Sequence, residues 1–161
     1  MRVLIRPINN KDDINYIIES HCRIYNEEHN FDHTFNEFIT NSLIMFADGV
    51  NSKKEQIWLI DNNGVRQGSI GIIDAGNNVA QLRWLLVEPK NRGVGYGNAL
   101  MDVAINHCSN YYNQIILWTN SKLISARKLY ERHGFNIEEI RKSYLSNQEI
   151  IEEKWIKSLS R

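Results

Sequence analysis

Cysteine and proline are both scarce in this chain. Among 161 residues there are two of each. Cys22 and Cys108 lie far apart and match no metal-ligating or redox spacing, so reduced, packed thiols are expected and a metal site is not. Long apolar runs are missing too. None reaches the roughly 20 residues of a membrane span. The opening "MRVLIRPINNKDD" has a short apolar stretch followed by polar residues, unlike a signal peptide. Charge of one sign is also lacking. Lys plus Arg number 19 and Asp plus Glu number 19, so no net field draws the whole chain to nucleic acid or to an anionic membrane. Repeats, low-complexity tracts and linkers are absent. The expectation is one domain over residues 1–161, cytoplasmic, with no membrane association and no direct nucleic-acid binding.

What is present has the balance of a globular domain. Apolar residues make up 42%, enough for one real core at this length. "RVLIRP" (2–7) reads as a first strand ended by Pro7. "NKDDINYIIESHCRIYNEEHNF" reads as a helix. Asp12 and Asp13 suit its positive end, and Ile14, Ile17, Ile18, Cys22 and Tyr25 recur at helical spacing. "HTFNEFITNSLIMFAD" reads as a second helix ending near Gly49. The pattern then changes to three apolar or alternating runs, 56–61, 65–74 and 79–88. They are separated by "NNG" and "AGNN", both turn compositions, and predict an antiparallel meander. Residues 97–109 read as a helix and 114–119 as a buried strand. "SKLISARKLYERH" reads as a helix with Gly134 at its C-terminal cap. "FNIEEIRKSYL" and "EIIEEKWIKSL" read as two closing strands. The class is α/β, with a mixed sheet and a strand–loop–helix–strand–helix centre.

The third strand of the meander runs into "NRGVGYGNAL", residues 91–100. Its glycines stand at alternate positions beside an arginine and before a helix. A dinucleotide fingerprint needs G-x-G-x-x-G, but Asn98 occupies the place of the third glycine. A Walker loop needs a lysine that "YGNAL" lacks. An anion cradle of another kind fits. The first turn of a helix presents unpaired N–H groups and the positive end of the dipole. Missing Cβ atoms let a phosphate approach them, and Arg92 adds a permanent charge. A pyrophosphate suits such a site.

"VEPKNRGVGYGNALM" resembles the acetyl-CoA-binding signature of the GNAT superfamily of N-acetyltransferases. That signature is Gln/Arg-x-x-Gly-x-Gly/Ala, here Arg92, Gly95 and Gly97. Downstream, "SARKLYERHGF" is similar to the family's A-x-x-L-Y-x-x-x-G-F segment through Ala126, Leu129, Tyr130, Gly134 and Phe135. The segments "AQLRWLLVEPKNRGVGYGNALMDVAI", "HCRIYNEEHNFDHTF" and "EQIWLIDNNGVRQGS" also resemble the acetyltransferase part of bacterial proteins that fuse a MarR-type DNA-binding domain to a GNAT domain. A stand-alone catalytic domain is therefore expected. The implied fold is the GNAT acyl-CoA N-acyltransferase fold, with a mixed central sheet of about six to seven strands and about four helices.

The resemblance implies acetyl-CoA as co-substrate and a primary amine, of a small molecule or a protein, as acceptor, acetylated by direct attack. The cofactor would lie against Arg92, Gly93, Val94, Gly95, Tyr96, Gly97 and Asn98. Its pantetheine arm would bond main-chain groups of Leu85, Leu86 and Val87, with Ser125 and Lys128 beside it. Tyr130 matches the motif tyrosine near the CoA sulfur. A phenol stays protonated at pH 7 and can give its proton to a departing thiolate. The base is less defined. Gln81 stands near the position of the family's strand glutamate and cannot accept a proton. Glu88, by strand parity, should face away from Gln81 and Arg83 as a surface or supporting residue. Glu27 is taken as the candidate base, with His21, Glu28, His33 and Glu55 left open. His21, Tyr25 and Arg83 are expected in the acceptor wall, where Arg83 suits a carboxylate. The missing strand carboxylate and the fused relatives keep a second reading open, a catalytically weak acetyl-CoA-binding sensor or regulatory module. A homodimer, with the last strand pairing between subunits, is a further implication.

Overall fold

A computed structural model describes residues 3–49 and 53–159. The chain order is β1 (Val3–Pro7), α1 (Lys11–His29), α2 (His33–Asp48), β2 (Gln56–Asn62), β3 (Val65–Gly76), β4 (Val79–Val87), α3 (Tyr96–Ser109), β5 (Gln114–Asn120), α4 (Ile124–Arg132), β6 (Asn136–Leu145) and β7 (Gln148–Ser158). Each predicted element is there, and α4 starts three residues later than the sequence pattern predicts. One seven-stranded sheet runs β1-β2-β3-β4-β5-β7-β6. Among the described residues, only β4 and β5 are parallel neighbours. Because β7 lies between β5 and β6, the strand edges of the sheet are β1 and β6. The last strand is paired on both sides over residues 152–156, so the expected pairing between subunits has no free edge there.

Local chemistry explains the punctuation. Asn10 caps α1 by accepting from the Asp13 amide at 3.0 Å. Asp13 does more than face the helix dipole. Its carboxylate is fully buried, takes two bonds from the Arg6 guanidinium at 2.9 and 3.0 Å, and a third from Arg66 at 2.8 Å. These charges tie α1 to β1 and β3, and they hold the Asp13 carboxyl far below the usual carboxylate range. The β2–β3 hairpin closes on Asn63 and Gly64, both at positive φ, the geometry of a type I′ turn. Asn77–Asn78 and Ser146–Asn147 close two more hairpins with positive φ at both central residues.

The sheet has a core on each face. Ala80, Leu82, Leu100, Met101, Ala104, Ile115, Leu117 and Phe135 pack on the side of α3 and α4. Ile17, Phe35, Ile39, Leu43, Ile57, Leu59 and Trp84 pack on the side of α1 and α2. Both cysteines are free. Cys108 is buried, and burial pushes its thiol up to about 12, whereas Cys22 is partly exposed.

Candidate functional site: a cleft between two splayed strands

The site begins with an irregularity in β4. Ser69 pairs with Leu86 and Gly71 with Arg83, so Trp84 and Leu85 together oppose Ile70. This is a β-bulge. Trp84 sits at φ 54, a region that a bulky residue enters only when its surroundings force it. The surroundings do so. Ser69 Oγ donates to the Trp84 carbonyl at 2.6 Å, and the indole packs edge-on against Phe46 at 5.7 Å. Gly71 leaves the ring its room, since a Cβ there would lie 2.5 Å from Trp84 Cε3.

The bulge has two consequences. First, β4 pairs with β5 only over Val79, Ala80 and Gln81. Beyond them the two parallel strands part, and the β5-facing edge of residues 82–87 has no strand partner among the described residues. Second, the bulge reverses parity. Leu82 packs toward α3, but Trp84 packs toward α1 and α2. Glu88 therefore lies on the α1 side with Arg83, not on the far face that simple alternation predicts. It is also no surface residue. It is 8% exposed, accepts from the Tyr16 hydroxyl at 2.7 Å and takes a fork from Arg23 at 3.0 and 2.9 Å. These bonds hold it ionised and consumed in the fold, with its pKa lowered against the opposing effect of burial.

A cavity of about 1210 Å³ fills the gap between the parted strands. That exceeds the roughly 300–1,000 Å³ of ordinary small-molecule pockets. A long ligand and a second reactant both have room. Along one wall run Leu85, Leu86 and Val87, and at its end lie Arg92, Gly93, Gly95, Tyr96, Gly97 and Asn98. Gly95 is the N-cap of α3, at φ 93, and Gly93 stands at φ 82. A Cβ on either would meet no protein atom within 4 Å, so both face open space. Among the described residues, the amides of 93–98 find no protein acceptor, while the next amide, Ala99, bonds the Gly95 carbonyl at 3.1 Å. A row of free donors at a helix start, on glycines that fill no space, fits a diphosphate. Gly97 has a different role. A Cβ there would lie 3.2 Å from Leu129 Cδ2, so its bareness lets α3 approach α4. The Asn98 side chain reinforces that junction, accepting from Arg132 at 3.1 Å and from His133 Nε2 at 3.0 Å.

The opposite wall comes from α1 and α4. Tyr130 is buried among Phe135 and Trp155, and also lines the cavity. Packing and an open position coexist here. Burial raises its pKa, and an ionised Tyr25 would raise it further, so the phenol holds its proton. Tyr25 stacks on Phe35 at 4.8 Å, and burial pushes its hydroxyl up to about 12. His21 is 2% exposed, and its Nδ1 lies 2.7 Å from the Ile17 carbonyl. Burial pushes its pKa down to about 4, so the ring is neutral at pH 7.

Fifteen of the expected site residues line this one cavity: His21, Tyr25, Arg83, Leu85, Leu86, Val87, Arg92, Gly93, Gly95, Tyr96, Gly97, Asn98, Ser125, Lys128 and Tyr130. Two do not. Val94 is 66% exposed, with its side chain away from the lining. Glu27 is exposed and off the cavity, because α1 presents the face carrying His21, Tyr25 and Glu28. Those three follow i, i+4, i+7 spacing, which is the sequence signal for Glu28. Arg92 also differs from expectation. Its guanidinium is already forked onto Glu28 at 3.0 and 3.1 Å, bridging the two walls, so an incoming phosphate must compete for it. His33 is exposed outside the cavity, and Glu55 accepts from the Asp74 amide at 2.9 Å, also outside it.

The fold agrees with that of known proteins. The family model described as "Acetyltransferase (GNAT) domain" matches residues 53–137, more than half of the chain. No curated protein sequence matches. Among solved structures, a GNAT-family acetyltransferase from Staphylococcus aureus Mu50 is similar with a TM-score of 0.81 at 24% identity, over 99% of this chain and 100% of that one. A GNAT-family acetyltransferase from Streptococcus pneumoniae gives 0.76 at 20% identity, over 99% and 100%. YncA from Salmonella typhimurium, solved with acetyl-CoA, gives 0.77 at 14% identity, over 100% and 96%. Parted strands, free amides at the start of α3 and the matched segment all lie in one region. The chain belongs to the acetyltransferase (GNAT) domain family, whose members use acetyl-CoA.

Proposed function

We propose that the chain is an N-acetyltransferase that moves an acetyl group from acetyl-CoA to a primary amine of a small molecule or a protein. One observation supports this above the others. The unpaired edge of β4, the free amides of residues 93 and 95–98 and Tyr130 all line one cavity. Acetyl-CoA supplies a thioester whose acyl carbon the neutral amine attacks directly, forming the N–C bond as the C–S bond breaks. The residues divide the work. Amides 93–98 hold the diphosphate, with Ser125 and Lys128 of α4 alongside. Main-chain groups of residues 85–87 take the pantetheine arm as an added strand would be taken. Tyr130 donates a proton to the departing thiolate and regains one from solvent. His21, Tyr25 and Arg83 line the acceptor end.

Among the described residues that line the cavity, no carboxylate is free to take the amine proton. Glu28 is paired with Arg92, and Glu152 with Arg141 at 3.3 Å. His21, with a pKa of about 4, is too weak a base for an ammonium. The amine therefore arrives neutral or loses its proton to water or to the His29 ring on the cavity lining. The same observation supports the second reading, an acetyl-CoA-binding regulatory module with little turnover, as does the resemblance to the acetyltransferase half of MarR–GNAT fusions. Thiol release from acetyl-CoA with a panel of amines separates the two. Transfer predicts amine-dependent release, slowed about 100-fold or more in Tyr130→Phe, with acetyl-CoA affinity changed less than about threefold. Tight acetyl-CoA binding with no release for any amine selects the module.

A further inference from the structure

The charged groups along the cavity are mostly paired. Glu28 holds Arg92, Glu152 holds Arg141, and Arg132 reaches Asn98. Arg83 differs. It lines the cavity on β4, and its guanidinium lies 4.9 Å from the Trp84 ring centroid and 5.8 Å from that of Phe38. It forms no ion pair and donates no hydrogen bond among the described residues. Burial alone lowers its pKa, with no carboxylate to offset it. A half-buried guanidinium with five idle donors is costly unless an anion arrives. The aromatic faces hold it in place, and they accept none of its hydrogen bonds in plane.

A second group in the same cavity is idle in the complementary sense. The Ile17 carbonyl can only accept, so His21 Nδ1 must carry the ring hydrogen. That leaves Nε2 as a bare lone pair. It is buried, has no protein partner among the described residues, and belongs to a residue lining the cavity. One group awaits an anion and the other awaits an N–H donor. Lys122 and Lys128 also line the cavity, Lys128 on α4 and Lys122 just before it, where its charge acts on His29.

We infer that the acceptor is an amine that also carries an acidic group, an amino acid or a close analogue, with its carboxylate on Arg83 and an amine N–H on His21 Nε2. This rests on the acetyl-transfer reading. In the role assigned, His21 orients the amine and leaves its nitrogen lone pair free. The proton lost on acylation goes to water or to the His29 ring.

The test compares free amino acids with their matching C-terminal amides, and with spermidine as a polyamine lacking a carboxylate, by thiol release from acetyl-CoA. Free amino acids are expected to exceed their amides in kcat/KM by about 10–100-fold, the usual worth of a charge-assisted contact. Arg83→Gln should lose that preference, mostly through KM, while acetyl-CoA affinity by calorimetry stays within about threefold, which also reports an intact fold. Arg83→Lys should restore part of it. His21→Phe should weaken amides and amino acids alike. Amides or spermidine turning over as well as amino acids would overturn the inference and leave acetyl transfer standing. Equal losses in Arg83→Gln for amino acid and amide would overturn it too. No release with any amine would remove the transfer reading and the inference with it.

Discussion

His21 allows a quantitative test that does not depend on substrate. Its ring is buried and neutral, with a pKa pushed from 6.5 down to about 4. In the unfolded chain it titrates near 6.5. A folded pKa below the unfolded one means that the unfolded state binds the proton first as pH falls. The contribution to stability is therefore complete above about pH 6.5 and is lost between 6.5 and 4. Each tenfold difference in proton affinity is worth about 1.4 kcal/mol, so the whole window carries about 3 kcal/mol, of which about 2 kcal/mol has gone by pH 5. Against a typical stability of about 5–15 kcal/mol, that is easily measured. The assay is urea unfolding at pH 7.5, 6 and 5 for wild type and His21→Gln. Glutamine does not titrate, so the variant should lose about 2 kcal/mol less than wild type from pH 7.5 to pH 5. His29 and His133 are also shifted down by burial and act in the same direction, but they are common to both proteins and cancel. Identical pH slopes for the two proteins would refute the buried, neutral assignment, and with it the bare lone pair on Nε2.

Two glycine substitutions test the backbone. Gly95→Ala should weaken acetyl-CoA binding at least tenfold by calorimetry, while stability drops only by the left-handed strain, about 1–2 kcal/mol, because the new Cβ meets no protein atom. Unchanged affinity would remove the cradle assignment. Gly71→Ala should cost about 1–3 kcal/mol in urea unfolding, since its Cβ overlaps the Trp84 ring. It should also weaken acetyl-CoA binding, because the bulge that parts β4 from β5 depends on that ring. A stable variant with full affinity would show that the bulge does not need the glycine.

The elements and the cradle are legible because each depends on local chemistry. Turn residues such as Asn63–Gly64, caps such as Asn10, and the glycines before α3 act within a few residues of themselves. The two motifs carry the family for the same reason. The β4 bulge is not legible, because Trp84 is an ordinary strand residue until Gly71 and Ser69, on another strand, force it to positive φ. From that one residue follows the wrong parity for Glu88. Glu27 stands in for Glu28 at the sequence level for want of a helix phase anchored on His21 and Tyr25. The sequence by itself determined the order of elements and singled out the glycine run and Tyr130, which the fold brings to one cavity. Tertiary structure alone decided which charges are left without partners. Arg92 meets Glu28 and Glu88 meets Arg23 across 64 and 65 residues of chain, whereas Arg83 meets only rings. Pairing depends on distance in space, which no local pattern records.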